Sequence, residues 1–240
     1  LVFSVAERIA ELTKAIQKSK GYFAIALSGG STPKPLYEAL ATPPLSYKIP
    51  WNYGYFFLVD ERCVPETNNE SNFKMIFESM LSKVPLMETN MFPVHFQDVD
   101  PERAATDYEE RITEAFKLAP GAFPVFDIVL LGLGDDGHTA SLFPGSDALK
   151  ETSRTVVANY VDKFSHHRIT LTPPVINNAS HVYFLVSGQS KAEIVADVLC
   201  GKQSYPANLI HPTTGELEWY LDKEAASLLN PAACHSGDGS

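Results

Sequence analysis

The chain has 240 residues, 45% hydrophobic and 20% charged, enough to bury the core of one large α/β domain rather than two small ones. Nineteen basic against 29 acidic residues leave a net charge near -10 with no basic block, which argues against a nucleic-acid or anionic-membrane surface, so an anionic ligand needs local donors. Three cysteines (Cys63, Cys200 and Cys234) without metal-like spacing indicate neither a disulfide framework nor a zinc site; with no membrane-length apolar run and no signal-peptide pattern, the expectation is a cytoplasmic protein.

Val2, Val5, Ile9, Leu12 and Ile16 recur at three- and four-residue steps, an amphipathic helix that "KSKG" closes. "YFAIAL" (Tyr22 to Leu27), "YFFLV" (Tyr55 to Val59), "FDIVLL" (Phe126 to Leu131) and "HVYFLV" (His181 to Val186) are continuous apolar runs, as expected of strands covered on both faces. Between them the pattern predicts helices over 33–40, 71–81, 101–118 and 191–199, with Asp100 as an N-cap and a Ser190/Glu193 capping box. Strand alternating with helix predicts a three-layer αβα sandwich around a Rossmann-like, mostly parallel sheet. "HHRITLT" and "ELEWYL" alternate instead, which predicts some antiparallel or edge strands.

The loop after the first strand, Ser28-Gly29-Gly30-Ser31-Thr32, leads into a helix that Pro33 is suited to start. Glycines, free amides and hydroxyls at a helix start suit a phosphate, although the same residues are ordinary turn and cap chemistry. The pattern is neither G-x-G-x-x-G nor a Walker loop, so nucleotide binding loses ground. After the second strand come Asp60, Glu61 and Arg62. Glu61 reads as a solvated loop charge, whereas the planar fork of Arg62 suits a carboxylate, phosphate or oxyanion. Ser71 or Asn72 reads as a helix cap.

"LGLGDDGHTASLFPG" follows the third apolar run. Gly137 lets the chain turn and direct His138 into a cleft, and Asp136 can orient or charge-stabilise that histidine, which titrates near neutrality and suits proton transfer. His95, His166, His167, His181 and His211 lack this setting and read as structural or surface residues. Asp136 and His138 alone are too few for a metal site, and no G-x-S-x-G elbow supports a serine hydrolase at Ser28, Ser31 or Ser141. Arg168 and Lys191 are the remaining cations suited to a phosphate.

The segments "SGGSTP", "DERCVP", "ESN", "GLGDDGHTASLFPG", "RITLT", "GQSKAE" and "HPTTGELEWYLD", in that order and spacing, resemble the 6-phosphogluconolactonase family over residues 1–229, which leaves 230–240 as a tail. The neighbouring glucosamine-6-phosphate deaminases carry D-E-Y where this chain has "DER", and I-A-F-N-E-P where it has "TASLFPG". The resemblance implies a sugar-phosphate isomerase-like fold and hydrolysis of 6-phospho-D-glucono-1,5-lactone with no metal or other cofactor. In that reading His138, Asp136 and Arg62 are catalytic, and Gly29, Gly30, Ser31, Thr32, Asp60, Gly137, Arg168 and Lys191 hold substrate or its phosphate. The small phosphosugar lactone is the expected partner, together with possible fusion to or association with glucose-6-phosphate dehydrogenase. The alternatives are a glucosamine-6-phosphate deaminase-type isomerase and a non-enzymatic sugar-phosphate sensor.

Overall fold

A computed structural model describes residues 1–96, 100–161, 163, 165–201 and 203–230. Helix α1 (Val2–Lys20) lays Val5, Ala6, Ile9 and Ala10 on the core and ends at Gly21, whose φ of 87° gives the left-handed cap that glycine adopts without strain. Strand β1 (Phe23–Leu27) is buried along its whole length. It lies between β2 (Gly54–Leu58) and β5 (Ile128–Leu131), and the sheet continues outward to β4 (Met91–Phe92) on one side and to β8 (His181–Val186) and β9 (Glu216–Leu221) on the other. Every one of these pairings is parallel, so the carboxyl ends of β1, β2, β5 and β8 share one edge. Helices α2 (Lys34–Leu40), α3 (Asn72–Ser79), α4 (Pro101–Phe116), α5 (Pro173–Asn177) and α6 (Ala192–Cys200) complete the α/β fold.

A second sheet of three antiparallel strands orders β3 (Asp60–Arg62), β7 (His166–Leu171) and β6 (Val156–Val161). The chain passes from β2 into β3 within one residue. At that bend the Tyr108 hydroxyl of α4 accepts from the Leu58 amide at 2.7 Å and donates to its carbonyl at 2.9 Å, so neither buried backbone group is left unpaired. One apolar core cluster reaches from Val5 to Ala225.

Several expectations change here. "ELEWYL" is an edge strand, as expected, and it pairs in parallel with β8. Helix α6 begins with Lys191 as N-cap and no side-chain cap bond, because a short 3-10 turn over Gln189–Lys191 already leads the chain into it; the expected Ser190/Glu193 capping box is not formed. Asp100 does cap α4, accepting from the Glu102 amide at 2.9 Å. Cys200 is disulfide-bonded, against the expectation of no disulfide, and Cys63 is a free thiol. The expected tail lies outside the described residues from 231 onward.

Candidate active site

The loops at the carboxyl edge enclose a cleft of about 300 Å³. One wall is the loop after β1. Ser28 is held from below by Tyr37 of α2, whose buried hydroxyl donates to the Ser28 carbonyl at 2.7 Å. Gly30 has a φ of 98°, which turns the loop back over the start of α2. A Cβ at Gly29 would collide with the Asn72 side chain, so only glycine lets α3 close on this loop. Among the described residues no protein acceptor takes the amide protons of Gly29, Gly30, Ser31 or Thr32, and the buried Ser28 Oγ also lacks a partner. Unpaired amides at a helix start form an anion cradle.

The opposite wall is the loop after β5. The Gly134 amide donates to the His138 carbonyl at 2.8 Å and the Gly137 amide to the Gly134 carbonyl at 3.0 Å, closing a tight turn. The His138 ring lies where a Cβ at Gly134 would be and stacks on Phe143 at 4.1 Å. Its Nδ1 is 2.5 Å from Asp136 Oδ1. An ionised carboxylate only accepts hydrogen bonds, so Nδ1 carries the proton and Nε2 presents a lone pair. Burial alone would raise the Asp136 carboxyl, but its bonds from His138 and Lys163, the latter at 3.4 Å, hold it below the usual aspartate value. Gly137 does not line the cleft: with φ 74° it packs against Tyr205, and a Cβ there would strike that ring. Its part is to shape the turn.

The charges come from the small sheet. Antiparallel register pairs Arg62 with Arg168, so the two guanidinium-bearing residues are neighbours. Arg62 donates from Nη1 to the Glu70 carbonyl at 2.9 Å and to Asn72 Oδ1. Arg168 is partly buried, and burial together with the nearby Arg62 lowers its pKa. Arg62 and Lys191 line the cleft with His138, whereas Arg168 lines an adjoining pocket of about 270 Å³ that shares Gly30, Ser31, Arg62 and Asn72 with it. Lys191 is tied to Asp135 at 2.5 Å, which draws the Asp135 carboxyl below its usual value. Asp60 faces the cleft and accepts from Ser141 Oγ at 2.7 Å.

Two residues play parts that the sequence did not suggest. Glu61 is 1% exposed rather than solvated, and its carboxylate receives the amides of Arg62, Asn72 and Phe73 and the Ser71 hydroxyl at 2.7–3.0 Å. Burial raises its pKa against those four bonds. It ties the start of α3 to β3. Ser71 is the cap expected of it, accepting from the Lys74 amide at 3.1 Å. Asn72 does more than cap: it bridges Arg62 and the Asp60 carbonyl, the latter at 2.8 Å, from inside the cleft. Ala140, with a φ of 51°, holds a left-handed backbone conformation in the cleft wall beside His138.

This chain is 44% identical to a 6-phosphogluconolactonase of Synechocystis sp. over 92% of its length and 90% of that protein's. It is 38% identical to the chloroplastic 6-phosphogluconolactonase 3 of Arabidopsis thaliana, over 95% of this chain and 72% of that one. The 6-phosphogluconolactonase structure from Trypanosoma cruzi superposes with a TM-score of 0.83 at 33% identity, over 94% of this chain and 91% of that one. A monomeric glucosamine-6-phosphate deaminase, 20% identical with a TM-score of 0.77, shares the fold. Residues 1–219 match the family described as glucosamine-6-phosphate isomerases/6-phosphogluconolactonase, and the chain belongs to that family.

Proposed function

We propose that this chain is a lactone hydrolase that converts 6-phospho-D-glucono-1,5-lactone to 6-phosphogluconate in the oxidative pentose phosphate pathway. The observation that carries this reading is the 2.5 Å His138–Asp136 pair facing, across one cleft, a loop of unpaired amides. His138 Nε2 takes a proton from water as the water oxygen bonds to the lactone C1. The resulting imidazolium is stabilised by Asp136. Arg62, held in place by Asn72 and the Glu70 carbonyl, faces the oxygen on which negative charge develops. Collapse of the tetrahedral intermediate breaks the bond from C1 to the ring oxygen, and His138 returns its proton to that oxygen. The 6-phosphate lies on the amides of Gly29 to Thr32, with Arg62 and Arg168 on one side and Lys191 on the other.

The test is hydrolysis of freshly generated lactone, measured against its spontaneous opening, with ammonia release from glucosamine 6-phosphate as the second assay. Acceleration of the first without the second is the expected result. Ammonia release without lactone hydrolysis would transfer the chain to the deaminase reading, and ligand binding without either would make it a sensor. Two further proposals concern its setting: a cytoplasmic location, checked by fractionation, and fusion to or association with glucose-6-phosphate dehydrogenase, checked by co-purification.

A further inference from the structure

At the edge of the parallel sheet opposite the cleft, β8 opens with His181-Val182-Tyr183 and β9 with Glu216-Leu217-Glu218. Parallel register sets His181 beside Glu216 and Tyr183 beside Glu218, and the two-residue strand period puts all four side chains on one face. One ring nitrogen of His181 and one carboxylate oxygen from each glutamate lie within 4.8 Å of one another, with His181 Nδ1 3.4 Å from Glu216 Oε2. Three polar atoms here are buried without a hydrogen bond of normal geometry among the described residues: His181 Nδ1, Glu218 Oε1 and the hydroxyl of Tyr183, a residue with 0% exposure. Buried polar groups are nearly always paired; Arg8 serves the Tyr183 hydroxyl, which leaves His181 Nδ1 and Glu218 Oε1 in need of a partner. Arg8 of α1 stands 3.7 Å from both Glu216 Oε2 and Glu218 Oε1, beyond hydrogen-bond distance.

We propose that His181, Glu216 and Glu218 form a binding site for a divalent cation of the zinc class. An imidazole with two carboxylates is a zinc-type donor set, whereas magnesium and calcium favour oxygen alone. Two ligands about 2.0–2.2 Å from a tetrahedral zinc are roughly 3.3–3.5 Å apart, which is the separation of His181 Nδ1 and Glu216 Oε2. Glu218, whose Oε1 is buried without a partner, supplies the third ligand. Its other oxygen already accepts from the Tyr220 hydroxyl at 2.8 Å, the kind of outer bond that orients a ligating carboxylate. The ion would join edge strand β9 to β8, far along the sheet from His138, so its role is structural. This site is separate from the metal site rejected at Asp136 and His138, and it depends on a strand register that the sequence does not display.

The test titrates the metal-free full chain with Zn²⁺ by calorimetry, with Mg²⁺ in a parallel run. One zinc per chain is expected, weakened at least about tenfold in His181→Ala and in Glu218→Gln. Binding should be unchanged in His138→Ala, and tighter in Arg8→Gln, which removes a competing cation. Circular dichroism confirms that each variant is folded. The site is overturned if neither wild type nor Arg8→Gln binds zinc, if zinc is lost only in His138→Ala, or if both His181→Ala and Glu218→Gln bind as wild type does. Equal binding of Mg²⁺ overturns the zinc class.

Discussion

The six-stranded parallel sheet delivers the glycine loop from the end of β1 and the histidine loop from the end of β5, whereas the three-stranded antiparallel sheet delivers Asp60, Arg62 and Arg168. The histidine loop is satisfied internally: Nδ1 has its carboxylate, and the turn closes on its own amides. In the small sheet two arginines are register neighbours, and burial followed by the nearby Arg62 lowers the Arg168 pKa while Asp60 and Glu70 oppose that shift. In the proposed complex a dianionic phosphate offsets the repulsion between these two arginines. In the proposed reading the chemistry rests on the histidine loop and phosphate affinity on the two arginines of the small sheet.

Removing the base should produce the largest change. His138→Ala is expected to lower kcat by about 10² to 10⁴-fold with KM within a few-fold of wild type, measured by steady-state lactone hydrolysis. Arg62→Met comes next, because Arg62 belongs to the charged sheet yet faces the reacting centre: kcat/KM should fall by about 10² to 10³-fold, with both constants affected. If only KM rose, Arg62 would be a phosphate ligand alone. Arg168→Met should raise KM about ten- to a hundredfold and leave kcat nearly intact, since it removes a charged hydrogen-bonding group from the binding side.

Smaller effects test the supports. Glu61→Gln leaves one oxygen for the four donors on the present carboxylate, so urea unfolding should register a loss of about 1–3 kcal/mol, with reduced kcat/KM because Asn72 and Arg62 lose their anchor. Asp136→Asn gives the smallest stability effect and a characteristic pH dependence. The folded carboxyl lies below the ordinary aspartate value, so its contribution is complete above about pH 4 and is lost only as pH falls through the depressed folded value. The difference in Tm between wild type and Asp136→Asn should therefore shrink as pH falls below 4.

The parallel sheet was legible because burial on both faces writes a continuous apolar run, as in β1, β2, β5 and β8. The histidine and glycine loops were legible because few structures other than a tight turn at a strand end require so many glycines beside titratable groups. Strand β3 was not legible, since Asp60-Glu61-Arg62 has no strand propensity and pairs only because β7 passes alongside. For the same reason Glu61 looked solvated: its burial comes from the arrival of α3, ten residues later. Asn72 sits beside the true cap Ser71, and only its contact with Gly29 and Arg62, distant in sequence, distinguishes it. Gly137 packs against Tyr205, and the sequence alone does not separate a glycine that shapes a turn from one that approaches a ligand.

The division of labour between the two sheets is tested most directly by calorimetric titration of 6-phosphogluconate into wild type, His138→Ala and Arg168→Met under one buffer and salt condition. The account predicts that His138→Ala binds the product within a few-fold of wild type while Arg168→Met binds it at least about tenfold more weakly. Weak binding by His138→Ala with unchanged binding by Arg168→Met would contradict it.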